Sequence, residues 1–237
     1  MSLPIPPEMM LNTEAKASVQ QLGNSRSSLL VIDNALLNAD AIRDYACQYG
    51  QFNTPEATQY PGLNAPLPAG FMTPMAKALR PLLAPAFGVP VQQSVTCHGY
   101  FGLVTLPPDA LSKVQVMPHV DLIGHQRLAV LVYLCDASQG GTAFYRHKSS
   151  GLERLTGDNF TAYTAAMNAE MAEGAIPQTY VQDDHPRFER IGFTESRYNR
   201  LVVYNSNLLH SGMVKPDILS PDPRLGRLTM NIFISPA

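Results

Sequence analysis

Arg227-Leu228-Thr229-Met230-Asn231-Ile232-Phe233-Ile234, close to the C-terminus, alternates strictly between two kinds of side chain. Leu228, Met230, Ile232 and Ile234 are apolar, and Arg227, Thr229, Asn231 and Phe233 stand between them. A period of two belongs to a β-strand whose two faces meet different surroundings. One face packs into a core. The other carries a guanidinium, a hydroxyl and an amide, which are costly to bury unless something polar or anionic meets them. A bound carboxylate satisfies Arg227 bidentately, with Thr229 or Tyr133 adding a hydroxyl.

Working outward, residues 128–135 alternate in the same way. Leu128, Val130, Val132 and Leu134 share one face, and Ala129, Leu131 and Tyr133 the other, so Tyr133 points inward with a hydroxyl to offer. Further short β-type runs fall at residues 91–100, 114–120, 142–145 and 200–204. Strands that follow one another without crossover helices favour an antiparallel sandwich or barrel.

The run at 114–120 leads into Met117-Pro118-His119-Val120-Asp121. In an extended chain His119 and Asp121 face the same way and Val120 the opposite way. Two histidines and one carboxylate are the ligand set of open non-haem iron sites, and the third ligand must come from a distant strand. His210, in Asn207-Leu208-Leu209-His210-Ser211-Gly212, is the candidate. A histidine and an aspartate two residues apart say little by themselves; the surrounding strands give the pair its weight.

The rest of the chain is read as one domain spanning residues 1–237. Residues 1–27, rich in Pro, Ser, Asn and Gln, read as an irregular arm that could exchange between the subunits of a homodimer. Residues 28–90 supply a strand at 28–32 and two helices. The first is capped by Asn38, buries Ile42, Tyr45, Ala46 and Tyr49, and ends at Gly50. A loop follows from 53 to 70. The second helix opens at Thr73-Pro74, carries Met75, Leu79, Leu82 and Leu83 on its buried stripe, and stops before Pro85. Residues 91–237 form the barrel, with an insertion at 152–190. There Asp158 or Asn159 caps a helix presenting Phe160, Tyr163, Met167 and Met171 and ending at Gly174. That helix either covers the barrel mouth or packs on the outside.

A net charge of -2 with 15% charged residues gives no basic field for nucleic acid and no polybasic membrane patch, so a small or locally recognised partner is expected. Cys47, Cys97 and Cys135 are too widely spaced for a metal knuckle and read as reduced, buried thiols. With no charged start followed by an apolar run, a cytoplasmic location is expected. His98, His125, His147 and His185 lack a ligand-type partner two residues on and read as ordinary, with Arg146-His147-Lys148 as a solvated turn.

The ordered set His119-x-Asp121, Tyr133-Leu134, Gly140-Gly141-Thr142-Ala143-Phe144, His210-Ser211-Gly212 and Arg227-x-Thr229 resembles the iron(II)- and 2-oxoglutarate-dependent oxygenases, nearest to their prolyl-hydroxylase-like branch. The resemblance implies a mainly β fold with flanking helices, a double-stranded β-helix or jelly roll. It also implies Fe(II) on His119, Asp121 and His210. Arg227 would bind the far carboxylate of 2-oxoglutarate, helped by Tyr133 and Thr229. Arg224 competes for that role, but it lies in the loop Pro221-Asp222-Pro223-Arg224-Leu225-Gly226, and strand alternation favours Arg227.

The reaction implied consumes O2, decarboxylates 2-oxoglutarate to succinate and oxidises a small molecule or a peptide or protein side chain. Related halogenases lack the carboxylate that Asp121 supplies, so its presence favours hydroxylation or another oxidation. Two other readings stand beside this one: a cupin-like metalloenzyme that does not use 2-oxoglutarate, and a barrel that binds a ligand or metal without oxidising anything. A requirement for 2-oxoglutarate separates the first from both.

Overall fold

The computed structural model describes residues 5–55, 60–124, 127–174, 176–183 and 185–237. Among them stand ten strands and three α-helices: β1 (Ala17–Leu22), β2 (Ser27–Ile32), α1 (Ala39–Tyr49), β3 (Gly62–Pro66), α2 (Ala69–Phe87), β4 (Val95–Val104), β5 (Leu128–Tyr133), β6 (Gly141–His147), α3 (Gly157–Glu173), β7 (Phe188–Glu195), β8 (Leu201–Asn205), β9 (His210–Met213) and β10 (Arg227–Pro236). Seven strands make a major sheet in the order β1-β2-β8-β5-β10-β4-β3, and three make a minor sheet in the order β7-β6-β9. Every pairing is antiparallel.

The alternation of β10 fixes the layers. Leu228, Met230, Ile232 and Ile234 join Leu128, Val130 and Val132 of β5 in one core, roofed by Ile42 and Ala46 of α1 and Phe71, Met75, Leu79 and Leu83 of α2. Burying each such Leu, Ile or Met side chain contributes roughly 1.5–3 kcal/mol. The opposite face of the major sheet packs Leu131, Tyr133, Val202, Tyr204 and Phe233 against Phe144 of the minor sheet. The outer face of the minor sheet, with Ala143 and Tyr145, is covered by Met167 of α3. The layers are thus helices, major sheet, minor sheet and α3. Among the described residues no ladder closes the two sheets into a barrel; an isolated bridge between His119 and His210 links the segment before β5 to the edge of the minor sheet.

Several local expectations are corrected. The strand at 114–120 is a series of turns ending in that single bridge, because Pro118 has no N–H to give a ladder. The arm before residue 28 contains β1, an edge strand with five of its six residues exposed, whose polar outer surface hides it from a hydrophobicity reading. Within the loop at 53–70, β3 pairs with β4 between Pro61 and Pro66, and within the insertion β7 begins at Phe188.

Helix α2 neither starts at Thr73 nor stops before Pro85. It runs from Ala69 to Phe87 through Pro74, Pro81 and Pro85 and ends at Gly88, whose φ of 69° and amide bond to Ala84 make a left-handed cap. Proline inside a helix costs about 3 kcal/mol, and the buried stripe of Phe71, Met75, Leu79 and Leu83 offsets it. Asn38 precedes α1 but gives its side chain to the Glu8 carbonyl rather than to the helix. Thr156, not Asp158 or Asn159, is the N-cap of α3, and Asn159 completes a capping box by accepting from the Thr156 amide at 2.8 Å.

Among the described residues no helix is long and apolar enough to cross a membrane. Cys47 and Cys97 are free and half-buried, and Cys135 is free and buried.

Candidate metal centre

His119 and Asp121 arrive on a turn segment that two backbone contacts hold in place. The amides of His119 and His210 each donate to the other's carbonyl at 2.9 Å, and the Asp121 amide donates to Ser206 at 2.9 Å. His210 opens β9 on its inward side, opposite Phe144. The three side chains therefore converge although no continuous strand carries the first two. His119 Nε2 lies 4.0 Å from Asp121 Oδ1, and His210 Nε2 lies 3.5 Å from Asp121 Oδ2. The three ligand atoms lie within 4.8 Å of one another, which suits a single ion.

Each histidine is oriented by its second nitrogen or its surroundings. His210 Nδ1 donates to the Leu208 carbonyl at 2.8 Å, which turns Nε2 toward Asp121. Tyr204 packs on the His210 ring at 4.8 Å between centroids. Burial, and then the neighbouring His210, push His119 down to about 4, so its imidazole is neutral and carries a free lone pair. Burial opposes the charge of Asp121, but His210, His119 and Arg127 together hold its carboxyl below the ordinary range. Burial likewise opposes charge on His210, and Asp121 overcomes it, raising the imidazole. Two nitrogens and one carboxylate on one side of a cavity leave the remaining coordination positions open.

That cavity, about 400 Å³, lies between the two sheets. The triad lines it, and so do Arg227 and Thr229 of β10. Arg227 is 5% exposed. Its Nη2 donates to the Gly141 carbonyl at 2.9 Å, while its Nε is buried without an acceptor. Among the described residues no carboxylate pairs with it. Close approach here depends on glycine: a Cβ at Gly140, where φ is 92°, would sit 1.8 Å from the Met213 carbonyl, and one at Gly141 2.3 Å from the Thr194 carbonyl. Gly212 leaves open the space beside the Arg227 guanidinium.

Thr229 faces the cavity in a chain with Asn231, whose Nδ2 donates to Thr229 Oγ1 at 3.0 Å. Tyr133 behaves differently from the expectation. Its hydroxyl is 2.7 Å from Thr142 Oγ1, bridging the two sheets, and its ring lies under Arg227 at 5.7 Å, but it is fully buried and not part of the cavity wall. Burial, partly countered by Arg227, pushes its hydroxyl up to about 12. Arg224 is exposed, on the chain before β10, and does not reach the cavity.

Other residues on the wall escaped the sequence reading. Tyr60, Tyr180, Tyr100 and Arg127 line the cavity, and so does His98, which is not the ordinary histidine that its lack of a ligand-type partner suggests. The signal for His98 and Tyr100 was the alternation of β4, where Tyr100 pairs with Asn231 and His98 with Phe233, both already assigned to the inward face. Tyr60 comes from a loop and carries no periodic signal. Its ring approaches Gly102 so closely that a Cβ there would lie 2.4 Å from the Tyr60 hydroxyl.

The remaining histidines divide. His147 is not in a solvated turn: it is fully buried, with Nδ1 2.8 Å from Ser150 Oγ and Nε2 3.1 Å from Glu170, and it fastens α3 to the minor sheet. His185 is buried against Phe188. His125 lies outside the described residues. Helix α3 supplies none of the cavity wall and packs on the outside of the minor sheet, so Phe160 and its neighbours do not cover the site.

No match was found among curated proteins. Among solved structures the chain is similar to apo HygX from Streptomyces hygroscopicus, at 16% identity over 89% of this chain and 83% of that one, with a TM-score of 0.44. It is also similar to an N-substituted L-amino acid dioxygenase from Burkholderia ambifaria AMMD, in complex with alpha-KG, at 12% identity over 95% and 94% of the two chains, with a TM-score of 0.40. The model of one family matches residues 13–234, nearly the whole of both sheets, and the chain belongs to it: DUF6445, a family of unknown function.

Proposed function

We propose that this protein is an Fe(II)- and 2-oxoglutarate-dependent dioxygenase that hydroxylates a small molecule or a peptide side chain. One observation carries the reading: a His119–Asp121–His210 cluster and a buried arginine without a carboxylate partner line the same cavity. A metal triad alone suits many reactions, and a buried cation alone suits many anions. Together they fit a dicarboxylate that reaches a metal with one end and a guanidinium with the other.

The residues fit both groups. His119, Asp121 and His210 would hold the iron, with His210 fixed by Leu208 and both histidines presenting a nitrogen toward the carboxylate. Arg227 would take the distal carboxylate of 2-oxoglutarate through its unpartnered Nε, and Thr229 would add a hydroxyl. Tyr133 would act indirectly, its ring supporting the guanidinium from beneath. When bound, iron with 2-oxoglutarate and O2 supplies the oxidising equivalent, and 2-oxoglutarate leaves as succinate and carbon dioxide. The two facing antiparallel sheets, with the ligands at one edge of the minor sheet, suit an open form of the double-stranded β-helix. The chain would act as one domain on a small partner, without nucleic acid or membrane.

The test is anaerobic titration of metal-free protein with Fe(II) and then 2-oxoglutarate, following the visible charge-transfer band of the chelate. The band is expected in the wild type and absent in His119→Ala. Iron binding without a band at saturating 2-oxoglutarate would return the cupin-like alternative.

A further inference from the structure

The cavity wall holds a second arginine, at the far end of β10 from Arg227. Ile234 stands opposite Leu128, so Arg127 falls beside Ser235, whose hydroxyl accepts from Arg127 Nε at 2.8 Å. Along β10, Arg227 and Ser235 are separated by roughly 26 Å of backbone, and both arginines line the same cavity. The metal cluster lies between them, on the Arg127 side: the Ser206 carbonyl accepts from the Asp121 amide, and the Ser206 amide donates to the Arg127 carbonyl, each at 2.9 Å.

Beside Arg127 the wall is aromatic. His98 lies flat on Phe233 with centroids 4.9 Å apart and planes at 16°, and Tyr100 tilts onto the same ring at 6.1 Å. Burial, and then the positive charge of Arg127, hold His98 below its ordinary value, so it adds a neutral ring rather than a second cation. Ser235 is the hydrogen-bond partner of the Arg127 side chain among the described residues, and it engages Nε alone. The terminal nitrogens are left for a planar, singly charged acceptor. A phosphate, with twice the charge, would meet one cation and the nearby Asp121 carboxylate.

Resting on the reading that Arg227 is taken by 2-oxoglutarate, we infer that the outer half of the cavity binds the primary substrate as a small carboxylic acid. Arg127 holds its carboxylate, and Phe233, His98 and Tyr100 hold its apolar or planar part. The acid is then anchored at the rim with its hydrocarbon facing His119, Asp121 and His210.

The test uses ligand-observed NMR on Zn(II)-loaded protein with 2-oxoglutarate, whose own signals report its binding. Phenylacetate, hexanoate and benzoate are compared with the corresponding carboxamides. At least one acid is expected to bind about tenfold or more tightly than its amide, and Arg127→Gln should abolish that preference. The same variant should leave 2-oxoglutarate binding unchanged, and Arg227→Gln should do the reverse. The inference is overturned if acids and amides bind alike, if no acid binds, or if Arg127→Gln binds the acids as the wild type does. Should 2-oxoglutarate fail to bind while acid binding still follows Arg127, the oxygenase reading falls and the acid site stands.

Discussion

His119 and His210 are tied to each other through their backbones before any metal is involved: each amide donates to the other's carbonyl at 2.9 Å, and the rings lie 4.6 Å apart. Ligand geometry is therefore set by main-chain atoms, which a side-chain substitution leaves in place. His119→Ala or His210→Ala should abolish tight Fe(II) or Zn(II) binding, while the melting temperature of the metal-free protein stays within about 4 °C of the wild type. Calorimetric metal titration beside a thermal melt checks both halves. A collapse in stability without metal would mean that the side chains, and not the bridge, hold the segment.

Arg227→Met should separate stability from ligand binding. The guanidinium is buried, with a neutral carbonyl as acceptor and Nε unsatisfied, so an apolar side chain of similar length should leave the free protein as stable or more stable. Under the proposed function, the 2-oxoglutarate concentration needed to form the chelate should rise about tenfold or more, since a charged hydrogen bond is lost. Thermal melts and the charge-transfer titration read the two effects independently.

Glu153 should govern acid stability. Its side chain is 3% exposed, accepts the amides of Asn24 at 2.9 Å and Ser25 at 2.8 Å, and pairs with Arg146 at 2.7 Å. Burial opposes its charge, yet Ser25, Asn24 and Arg146 hold the carboxyl below its ordinary value of 4.5. A carboxyl lowered by folding stabilises the native state above its unfolded value, and that contribution disappears as pH falls through the folded one. Glu153→Gln should cost about 1–3 kcal/mol at neutral pH and flatten the decline in stability below pH about 4.5. Denaturant unfolding across that range decides it.

Gly102→Ala should disturb the inner wall of the cavity. A Cβ there would lie 2.4 Å from the Tyr60 hydroxyl and 2.9 Å from Asn231 Nδ2. The Tyr60 ring must move, and burial, which holds its hydroxyl up at about 12, is reduced. Near-ultraviolet circular dichroism and a spectrophotometric titration of tyrosine should show one hydroxyl ionising at lower pH than in the wild type.

The parts of this molecule legible in its sequence are those with a period. Strands β5 and β10, buried on both faces but with different chemistry on each, announced the layers, the direction of Tyr133 and the inward row of Arg227, Thr229 and Asn231. Helix α2 was visible as a stripe but misplaced at both ends, because proline rules act locally and the packing of Phe71 and Leu83 does not. Edge strand β1 was invisible, since its ladder with β2 consists of backbone bonds and Leu22 is its one buried side chain. His119 and Asp121 share a direction, as alternation predicts, but without the strand that alternation assumes: His210 and Ser206 hold them instead. Arg127 and Tyr60 carry no such period, and placing them requires knowing which chain segments are neighbours.

The bridge between His119 and His210 also bears on how the chain folds. It joins positions separated by roughly ninety residues, and closing so long a loop is slow compared with forming the β1–β2 hairpin. The segment that brings His119 and Asp121 should dock only after β9 has found β6. Metal would then meet a finished pocket rather than nucleate one, and in a newly made chain, competence to bind a metal ion would mark the end of folding.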